Sequence, residues 1–451
     1  MFKVKELASY FPNGRGATQD SIQIREVMTD TRVEKKQSLF VPLVGENHDA
    51  HRFLMNAIKM GAVAALWQED HELPKEIPTE FPVFFVEDTL RALQETSSFY
   101  LRKVNPVVVG ITGSNGKTTT KDLTASVLQV KYRTHKTAGN FNNHVGMPLT
   151  ILSMPLDTEV AVLEMGMSQA GEISLLSKLA QPRHVMITNI GESHIEYLGS
   201  REGIAKAKLE ILDGWQQGSF IFDGDEELLR KYHQTPQAFA CGFQSSSDVV
   251  INDIVLEENR SLFTIDEDLY ELSMSGKHNV KNASYVVTLA KELGLTVKEI
   301  QTGLKQLQMS GMRFEKHMGL NGALIINDAY NASPTSMKAT IEIILELKSK
   351  SKKILILGDM FELGAHADQL HKEVSTAITE EISAVYTVGE HAAQIIEGMK
   401  ERNLDIETKH FKDKDSLSHH VQQQLNSDTV VLLKASRGMK LEVLLNDLLD
   451  E

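Results

Sequence analysis

The stretch GITGSNGKTTT, Gly110 to Thr120, follows the apolar run VNPVVV and precedes KDLTASVLQV. An apolar run, a glycine-rich turn and a helical segment together predict a strand, a phosphate-binding loop and a helix. Standard P-loops place four residues between the first glycine and Gly-Lys-Ser/Thr. Here five residues separate Gly110 from Gly116, and two separate Gly113 from Gly116. The glycines still allow successive N–H groups to face one oxyanion cluster, so the stretch predicts a nucleotide triphosphate site in an α/β domain.

The side chains of this loop suit a triphosphate and its magnesium ion. Lys117 offers a mobile positive charge and Thr118 a hydroxyl for Mg²⁺. Leu123, Val127 and Val130 mark the buried face of the following helix. The alternative is a glycine-rich turn that only caps an ordinary helix. The ATP-binding candidates in the loop are Gly113, Ser114, Asn115, Gly116, Lys117, Thr118 and Thr119.

Two later apolar runs lead into possible metal ligands. EVAVLEMG carries Glu164 and VMITNIGESH carries His194. Ligands of open parallel sheets lie at the carboxyl ends of the strands, and a carboxylate with an imidazole beside a triphosphate suits one or two divalent ions. Alone, Glu164 is compatible with a solvated strand end and His194 with a structural histidine. Their place on successive strands favours a metal site that also includes Thr118.

Length and composition limit the possible functions. The chain has 451 residues, of which 41% are hydrophobic and 24% charged, so we expect a globular protein of several domains. No apolar run approaches the ~20 residues of a membrane-spanning helix, and MFKVKELASYF lacks a signal-peptide core. The single cysteine, Cys241, excludes an internal disulfide framework, and the net charge of −14 argues against a general nucleic-acid binder. We therefore expect a cytoplasmic protein with no membrane insertion and no nucleic acid.

Apolar runs divide the chain into three blocks. Residues 1–105 alternate runs such as GAVAALWQ with helical segments such as DTLRALQETSSFYLRKV. Residues 106–312 alternate again, with a more β-like insert from GSFIFDGDEE to ENRSLFTIDEDLYELSMSG, and residues 313–451 resume the alternation from GALIINDA onward. The predicted fold is α/β with three domains: a small N-terminal α/β domain, a central P-loop ATPase-like parallel-sheet domain and a C-terminal Rossmann-like α/β domain.

Several motifs follow one another in an order that resembles a known family. TGSNGKTTT, LEMGMSQAGEI, TNIGESHIEYLGSREGIAKAKLEI, GKHNVKN, MRFE and NDAYNASPTSM are similar to the ordered signature of the Mur ligase family, ATP-dependent amide-forming ligases of peptidoglycan synthesis. TDTR followed by SLFVPLVGENHDAHRF, TAGNFNNHVGMPLT, LGDMFELG and KASRG resemble the members that add D-alanyl-D-alanine. The matches run from about residue 29 to residue 442 and cover nearly the whole chain.

The resemblance implies a reaction and its partners. ATP would phosphorylate the terminal carboxylate of UDP-N-acetylmuramoyl-tripeptide, and the amine of D-alanyl-D-alanine would attack the acyl phosphate. Activation is needed because a carboxylate is a poor acyl donor. The implied cofactors are ATP and Mg²⁺, as two ions. We expect these small molecules as partners, and a monomeric chain.

The resemblance also assigns roles outside the loop. Asn282 would face the adenine, and Arg313 and Asp328 would reach back from the third block to the phosphate and the ribose. Asn282 is also compatible with an ordinary polar helix position, and Asp328 with a turn at a strand end. The catalytic candidates are Lys117, His194, Lys208 and Arg313.

The substrate-binding candidates come from three motifs. In the first block, Thr31, Arg32 and the VGENHDAH turn are candidates for the uridine and pyrophosphate, with Arg32 as a bidentate partner; an exposed arginine in a solvated turn is the alternative. Asn142 and Asn143 either contact substrate or support their own loop. The full set is Thr31, Arg32, Asn142, Asn143, Tyr330 and Asn331.

Lys208 stands out in the helix-like segment REGIAKAKLEIL. It shares a face with Ile204, Ile211 and Leu212, so it should point inward, whereas Lys206 has the spacing of an exposed residue. A snorkelling lysine is the alternative. An ammonium beside Mg²⁺ would be repelled, and carbamylation by CO₂ would turn the amine into an anionic metal ligand. The resemblance maps the carbamylated lysine of Mur ligases onto Lys208.

Other functions stay open at this point. A folylpolyglutamate or cyanophycin-type ligase would use the same centre with a different acceptor, but LGDMFELG and the long first block argue against it. A small-molecule kinase would leave the third block unexplained. A non-enzymatic nucleotide-binding regulator would not need Glu164 and His194 together.

Overall fold

Buried strands alternate with amphipathic helices along the chain. The computed structural model of the protein describes residues 1–46, 48–308, 311 and 313–449. Within these residues the strands form three main sheets, one in each predicted block. The predicted α/β fold class is therefore confirmed.

The first region has short strands around one small sheet. In the described residues its elements are β1 (Phe2–Lys3), α1 (Val4–Leu7), β2 (Gly14–Arg15), β3 (Gln23–Ile24), β4 (Glu26–Met28), β5 (Ser38–Phe40), β6 (Val44–Gly45), β7 (His48–Asp49), α2 (Leu54–Lys59), β8 (Ala62–Gln68), β9 (Val83–Val86) and α3 (Thr89–Val104). The main sheet has the order β2-β9-β8-β5-β4 and is parallel except for β2. Helix α3 starts where the Asp88 side chain accepts from the Arg91 N–H, and it ends before Asn105, which adopts φ +54°.

The second region carries the glycine-rich loop at the middle of a parallel sheet. Its described elements are β10 (Val107–Thr112), α4 (Lys117–Leu128), β11 (Thr134–Lys136), α5 (Gly146–Leu152), β12 (Val160–Glu164), α6 (Glu172–Ala180), β13 (His184–Ile187), α7 (Ile195–Leu198), α8 (Arg201–Leu209), β14 (Phe220–Asp223), β15 (Ala238–Gly242), β16 (Val249–Val250), β17 (Asn252–Leu256), β18 (Ser261–Ile265), β19 (Asp268–Leu272), α9 (Lys277–Glu292) and α10 (Val297–Lys305). The order β11-β12-β10-β13-β14-β15-β16 places β10 between β12 and β13.

Two details of this region differ from the expectation. The β-like insert divides between two sheets, because β14 and β15 extend the parallel sheet, whereas β17, β18 and β19 form an antiparallel one. Helix α4 buries Leu123 and Val127 but ends at Leu128, so Val130 lies beyond it. Apolar spacing alone does not reveal that the helix stops there.

The third region is a second, mostly parallel sheet. Its described elements are β20 (Glu315–Met318), β21 (Leu324–Asn327), α11 (Pro334–Glu346), β22 (Lys352–Gly358), α12 (Ala367–Val374), β23 (Ala384–Val388), α13 (Ala393–Glu401), β24 (Glu407–Phe411), α14 (Lys414–Gln422), β25 (Thr429–Lys434) and α15 (Leu445–Leu448). The order is β20-β21-β25-β22-β23-β24, and β20 is the antiparallel edge strand.

Changes in the elements lie close to the expected domain limits, and we propose 1–105, 106–312 and 313–451 as those limits. Helix α3 closes the first region, and strand β20 opens the third sheet. The SGMR segment at the second limit was a candidate hinge. Its Ser310 and Met312 lie outside the described residues.

The hydrophobic cores join the regions unequally. One cluster runs from Phe2 and Tyr100 of the first region to Met147 and Ile151 of the second, and the Tyr100 hydroxyl donates to the Met154 carbonyl at 2.6 Å. The third region has its own two clusters, one on each face of its sheet. The first two regions therefore share a core, whereas the third packs against them as a separate unit.

Crossing a membrane requires a long and apolar helix. Among the described residues, no helix has the length and apolar character needed to cross a membrane.

Candidate active site

The glycine-rich loop has the backbone that a phosphate cradle needs. Gly113 adopts φ +154° and Gly116 φ +79°. A Cβ on Gly113 would lie 1.8 Å from Thr188 Oγ1, and one on Gly116 would lie 2.9 Å from Asn282 Oδ1. Both positions therefore require glycine for conformation and for space. Gly116 is the residue before helix α4, so the loop opens onto the positive end of that helix.

Residues after β13 brace the loop. The Asn115 carbonyl accepts from the Thr188 hydroxyl at 2.5 Å and from the Asn189 amide at 3.0 Å. The Asn115 N–H donates to Asn189 Oδ1 at 2.9 Å, and the Gly191 N–H donates to Ser114 Oγ at 2.8 Å. The loop is thus held in shape by the neighbouring strand end.

Lys117 lies within the loop that it follows. Its ammonium donates to the Gly113 carbonyl at 2.7 Å and to the Ser114 carbonyl at 3.2 Å. Burial lowers the pKa of Lys117, with Arg313 acting in the same direction and Glu164 in the opposite one. The charge of Lys117 is therefore influenced by both groups.

Glu164, the last residue of β12, is buried beside the loop with an exposure of 2%. Its Oε1 accepts from Asn142 Nδ2 at 2.8 Å, and its N–H donates to Thr137 Oγ1 at 3.0 Å. Its Oε2 is buried without a hydrogen-bond partner among the described residues. The nearest cation is Lys121, whose Nζ is 3.9 Å from Oε2. This orphaned carboxylate oxygen, near the Thr118 helix turn, fits a divalent cation.

His194 lies farther from its strand than Glu164 does. Strand β13 ends at Ile187, and His194 precedes helix α7 with φ +67°. Its Nδ1 is 2.5 Å from Glu362 Oε2 of the third region, and the imidazole holds the pKa of Glu362 below its usual range. Within the described part of the chain, no direct contact joins His194 to Glu164.

Lys208 is buried on helix α8 with an exposure of 1%, while Lys206 is exposed. This is the orientation that the spacing predicts, and it removes the snorkelling alternative. Burial and the nearby Lys117 ammonium lower the pKa of Lys208 well below its usual value. No carboxylate of the described residues pairs with its Nζ, so Lys208 lies as an unpaired amine near the phosphate loop.

Arg313 crosses from the third region to the loop. Its Nη2 donates to Thr118 Oγ1 at 3.2 Å, and its guanidinium lies 4.3 Å from the centroid of the Tyr330 ring. Ser333 Oγ donates to Asn115 Oδ1 at 3.0 Å. The third region therefore closes over the loop as expected for a shared nucleotide site.

The side chains of Asp328 and Asn282 contact other residues of the protein. Asp328 Oδ2 accepts from Lys434 at 2.5 Å and from Thr340 at 2.9 Å. These contacts support the interpretation of Asp328 as a structural residue at a strand end. Lys434 also donates to the Asn331 carbonyl at 3.3 Å. Asn282 is 4% exposed and packs against Gly116, beside the loop.

The two asparagines of GNFNNHVG have different surroundings. Asn142 supports Glu164, as described above. Asn143 Oδ1 accepts from the Gly146 N–H at 2.8 Å and from the Val145 N–H at 3.2 Å, where α5 begins. The role visible for Asn143 is thus loop support, and the role visible for Asn142 is a hydrogen bond to Glu164.

The first-block candidates line a cavity of about 530 Å³. Thr31 and Arg32 are in its wall with His48 and Phe53, whose rings stack with centroids 5.6 Å apart. Arg32 makes a bidentate pair with Asp30, the shorter contact being 2.6 Å, and this contact lowers the pKa of Asp30 to about 2. In the VGENHDAH turn, Asn47 lies outside the described residues.

Four contacts of the site were not predicted from the sequence. Lys121 lies near Glu164, Glu362 contacts His194, Ser333 donates to Asn115, and Asn189 braces the glycine-rich loop. Lys121 had a local signal, since it stands one helical turn after Lys117 on the same face. The other three join segments far apart in the chain, for which spacing carries no signal.

Comparison with known proteins agrees with this geometry. Residues 111–290 match the Mur ligase middle domain, and residues 312–437 match the Mur ligase glutamate ligase domain. The chain is 45% identical over 431 residues to the UDP-N-acetylmuramoyl-tripeptide–D-alanyl-D-alanine ligase of Bacillus subtilis, which covers 95% of this chain and 93% of that protein.

Solved structures with the same arrangement include two MurF proteins. A crystal structure of MurF from Acinetobacter baumannii superposes with a TM-score of 0.87 at 28% identity, covering 99% of this chain and 98% of that one. MurF ligase from Thermotoga maritima in complex with ADP gives a TM-score of 0.80 at 27% identity, over 95% and 98% of the two chains. By its domain matches and by its identity to a relative over nearly its full length, the chain belongs to the Mur ligase family.

Proposed function

We propose that this protein joins D-alanyl-D-alanine to UDP-N-acetylmuramoyl-tripeptide in an ATP-dependent reaction that also yields ADP and phosphate. The product is a peptidoglycan precursor. The observation that carries the proposal is the closure of the third region over the glycine-rich loop, where Arg313 reaches Thr118 and the orphaned Glu164 oxygen lies nearby. A small-molecule kinase would leave the third region without a role. The identity to a ligase of this specificity over 95% of the chain supports the choice of substrates.

The loop residues would bind and orient the triphosphate. The loop leads into the N-terminus of α4, and Lys117 can turn from the loop carbonyls to a phosphate oxygen. Arg313 would meet the same phosphate from the opposite side. Two fixed cations stabilise the charge that develops as a phosphoryl group moves to the substrate carboxylate. The acyl phosphate then reacts with the amine of D-alanyl-D-alanine, and phosphate leaves.

In our proposal four residues would hold magnesium: Thr118, Glu164, His194 and Lys208, the last as a carbamate. Mg²⁺, in our proposal two ions, supplies charge neutralisation for the phosphoryl group when bound. The Glu164 oxygen without a partner supports this assignment. Asn142 orients the same carboxylate by occupying its other oxygen. Asn282 would lie against the adenine and Asp328 near the ribose.

The UDP end would occupy the cavity of the first region. The His48 and Phe53 rings offer an aromatic wall for a base, and Arg32 offers a guanidinium for the pyrophosphate. Tyr330 lies beside Arg313, which contacts the phosphate loop, so we assign Tyr330 and its neighbour Asn331 to the peptide end of the substrate. We further propose that the enzyme works as a monomer in the cytoplasm.

Phosphate release tests the activity directly. We expect release only when ATP, UDP-N-acetylmuramoyl-tripeptide and D-alanyl-D-alanine are all present. Release that is independent of D-alanyl-D-alanine would indicate a kinase or a hydrolase. Release with a folate or an aspartate polymer in place of the UDP substrate would indicate one of the other amino-acid ligases.

Domain closure gives a second testable expectation. The third region meets the loop through polar contacts, including Thr335 to Glu192 at 2.8 Å, and does not share the main core of the other two. Polar interfaces of this kind open easily. We expect small-angle scattering to show a smaller radius of gyration with an ATP analogue and UDP-tripeptide than without. Identical curves under both conditions would contradict closure.

Arg32→Ala tests the cavity of the first region. We expect the KM for UDP-tripeptide to rise about tenfold or more, the scale of one lost charge-assisted hydrogen bond, with little change in kcat. Arg91→Ala is the matched control, because Arg91 is also exposed and paired with an acid, Glu95, but lies on α3. An unchanged KM for Arg32→Ala would leave Arg32 as a solvated turn residue.

A further inference from the structure

Lys121 is a buried cation that the proposed reaction does not use. It lies on helix α4, its side chain has 0% exposure, and its ammonium has no hydrogen-bond acceptor among the described residues. Burial of an ionised ammonium without compensation is strongly unfavourable. Two carboxylates lie within ion-pair distance of Nζ, Asp122 Oδ1 at 3.5 Å and Glu164 Oε2 at 3.9 Å.

These groups belong to a line of alternating charges. Lys136 of β11 donates to Asp122 Oδ1 at 2.7 Å and is 34% exposed, so the line begins near the surface. It continues through Asp122 and Lys121 of α4 and ends at Glu164 of β12, whose side chain is 3% exposed. The line therefore connects the phosphate-loop helix to the candidate metal ligand.

The last two charged groups of the line, Lys121 and Glu164, do not form a hydrogen bond with each other. Lys121 Nζ and Glu164 Oε2 both lack hydrogen-bond partners in the part of the chain that the structure describes, although they are 3.9 Å apart. A direct ion pair would close this gap. Asn142 holds the other oxygen of Glu164 by a hydrogen bond and so resists that movement. Glu164 Oε2 therefore lies near the Lys121 ammonium without accepting a hydrogen bond from it.

We propose that Lys121 is a positioning residue for Glu164: it is the resident counter-charge of this carboxylate, and it competes with the incoming Mg²⁺. The inference rests on the proposed function, since it takes Glu164 as a metal ligand. Lys121 Nζ lies 3.9 Å from Glu164 Oε2, and Asn142 fixes Oε1. The pair thus keeps the carboxylate in place before the nucleotide arrives and limits how tightly the metal is held.

The test compares Lys121→Met with the wild type in thermal unfolding and in Mg²⁺-dependent binding of fluorescent ADP. Without ligand, we expect Lys121→Met to unfold at a lower temperature, because it leaves Glu164 as an uncompensated buried charge. With Mg²⁺ and ADP, we expect most of that loss to disappear. The Mg²⁺ concentration that half-saturates ADP binding should fall by at least about fivefold, the lower end of typical coupling between sites.

Lys136→Met is the matched control, because it removes the outer lysine of the same line without touching Glu164. We expect its half-saturating Mg²⁺ concentration to match the wild type. An equal loss of unfolding temperature for Lys121→Met with and without Mg²⁺ and ADP would make Lys121 a structural residue and overturn the proposal. An equal change in Lys136→Met would also overturn it, as a general charge effect.

The double variant Lys121→Met, Glu164→Gln covers the case in which the single variant does not fold. It removes both charges, so we expect it to be more stable than Lys121→Met alone. A double variant as unstable as the single one, or equally unfolded, would overturn the pairing. Loss of the ligase proposal would instead appear as missing phosphate release by the wild type, which these binding and stability measurements do not involve.

Discussion

Lys117→Ala should lose ligation by about 10²- to 10³-fold or more while the protein remains folded. The ammonium is held by two loop carbonyls, those of Gly113 and Ser114, and is not part of a hydrophobic cluster. Its removal therefore leaves the core intact. What is lost is a charge directed at the phosphoryl group in a partly buried site, where such a contact contributes most in the transition state.

The measurement is phosphate release under saturating substrates, with circular dichroism to confirm the fold. Lys131→Ala is a suitable control, since Lys131 is an exposed lysine just beyond α4 that donates to the Gly294 carbonyl. Turnover by Lys117→Ala at the wild-type rate would remove the phosphate-loop interpretation. A comparable loss in Lys131→Ala would show that the effect is not specific to the loop.

Lys208→Ala should be nearly inactive and should regain part of its activity with added acetate. The amine is 1% exposed and has no carboxylate partner among the described residues. Burial and Lys117 lower its pKa, and a neutral amine is the form that attacks the carbon of CO₂. The nitrogen then releases one proton and the side chain becomes a carbamate anion. A short-chain carboxylate that enters the space left by Lys208→Ala would replace this anion.

Lys206→Ala provides the matched control on the same helix, because Lys206 is exposed. We expect it to retain wild-type turnover. Carbon-13 NMR of the wild type with labelled CO₂ should show a carbamate signal that Lys208→Ala lacks. Normal activity of Lys208→Ala in CO₂-free buffer, or an essential Lys206, would refute the assignment.

The faces of local elements were predictable from spacing. The strand, loop and helix around Gly110 to Thr120 formed as expected, because glycine conformations and apolar runs act over a few residues. The inward side of Lys208 followed from helical periodicity in the same way. The end of α4 before Val130 and the assignment of β14 to the parallel sheet did not follow, since each depends on neighbouring strands and helices.

The side-chain partners were less predictable than the elements. Arg32 was a candidate for the pyrophosphate, and its bidentate pair with the neighbouring Asp30 was not predicted. Asn142 was a candidate for substrate contact or loop support, and its hydrogen bond to Glu164 was not predicted. Both are polar side chains with several possible partners, and the choice depends on which acceptor the folded backbone brings within hydrogen-bonding distance.

By itself, the sequence determined the α/β class, the phosphate loop and the order of motifs that marks the family, because these are encoded by short-range patterns of glycine, charge and apolar residues. The tertiary structure alone decided that Arg313 meets Thr118 and that Lys121 faces Glu164. Parallel strands pair only through crossovers, so residues at neighbouring strand ends are far apart in the chain. Their distances, and the burial that sets the energetics of each charge, exist only once the sheets have packed.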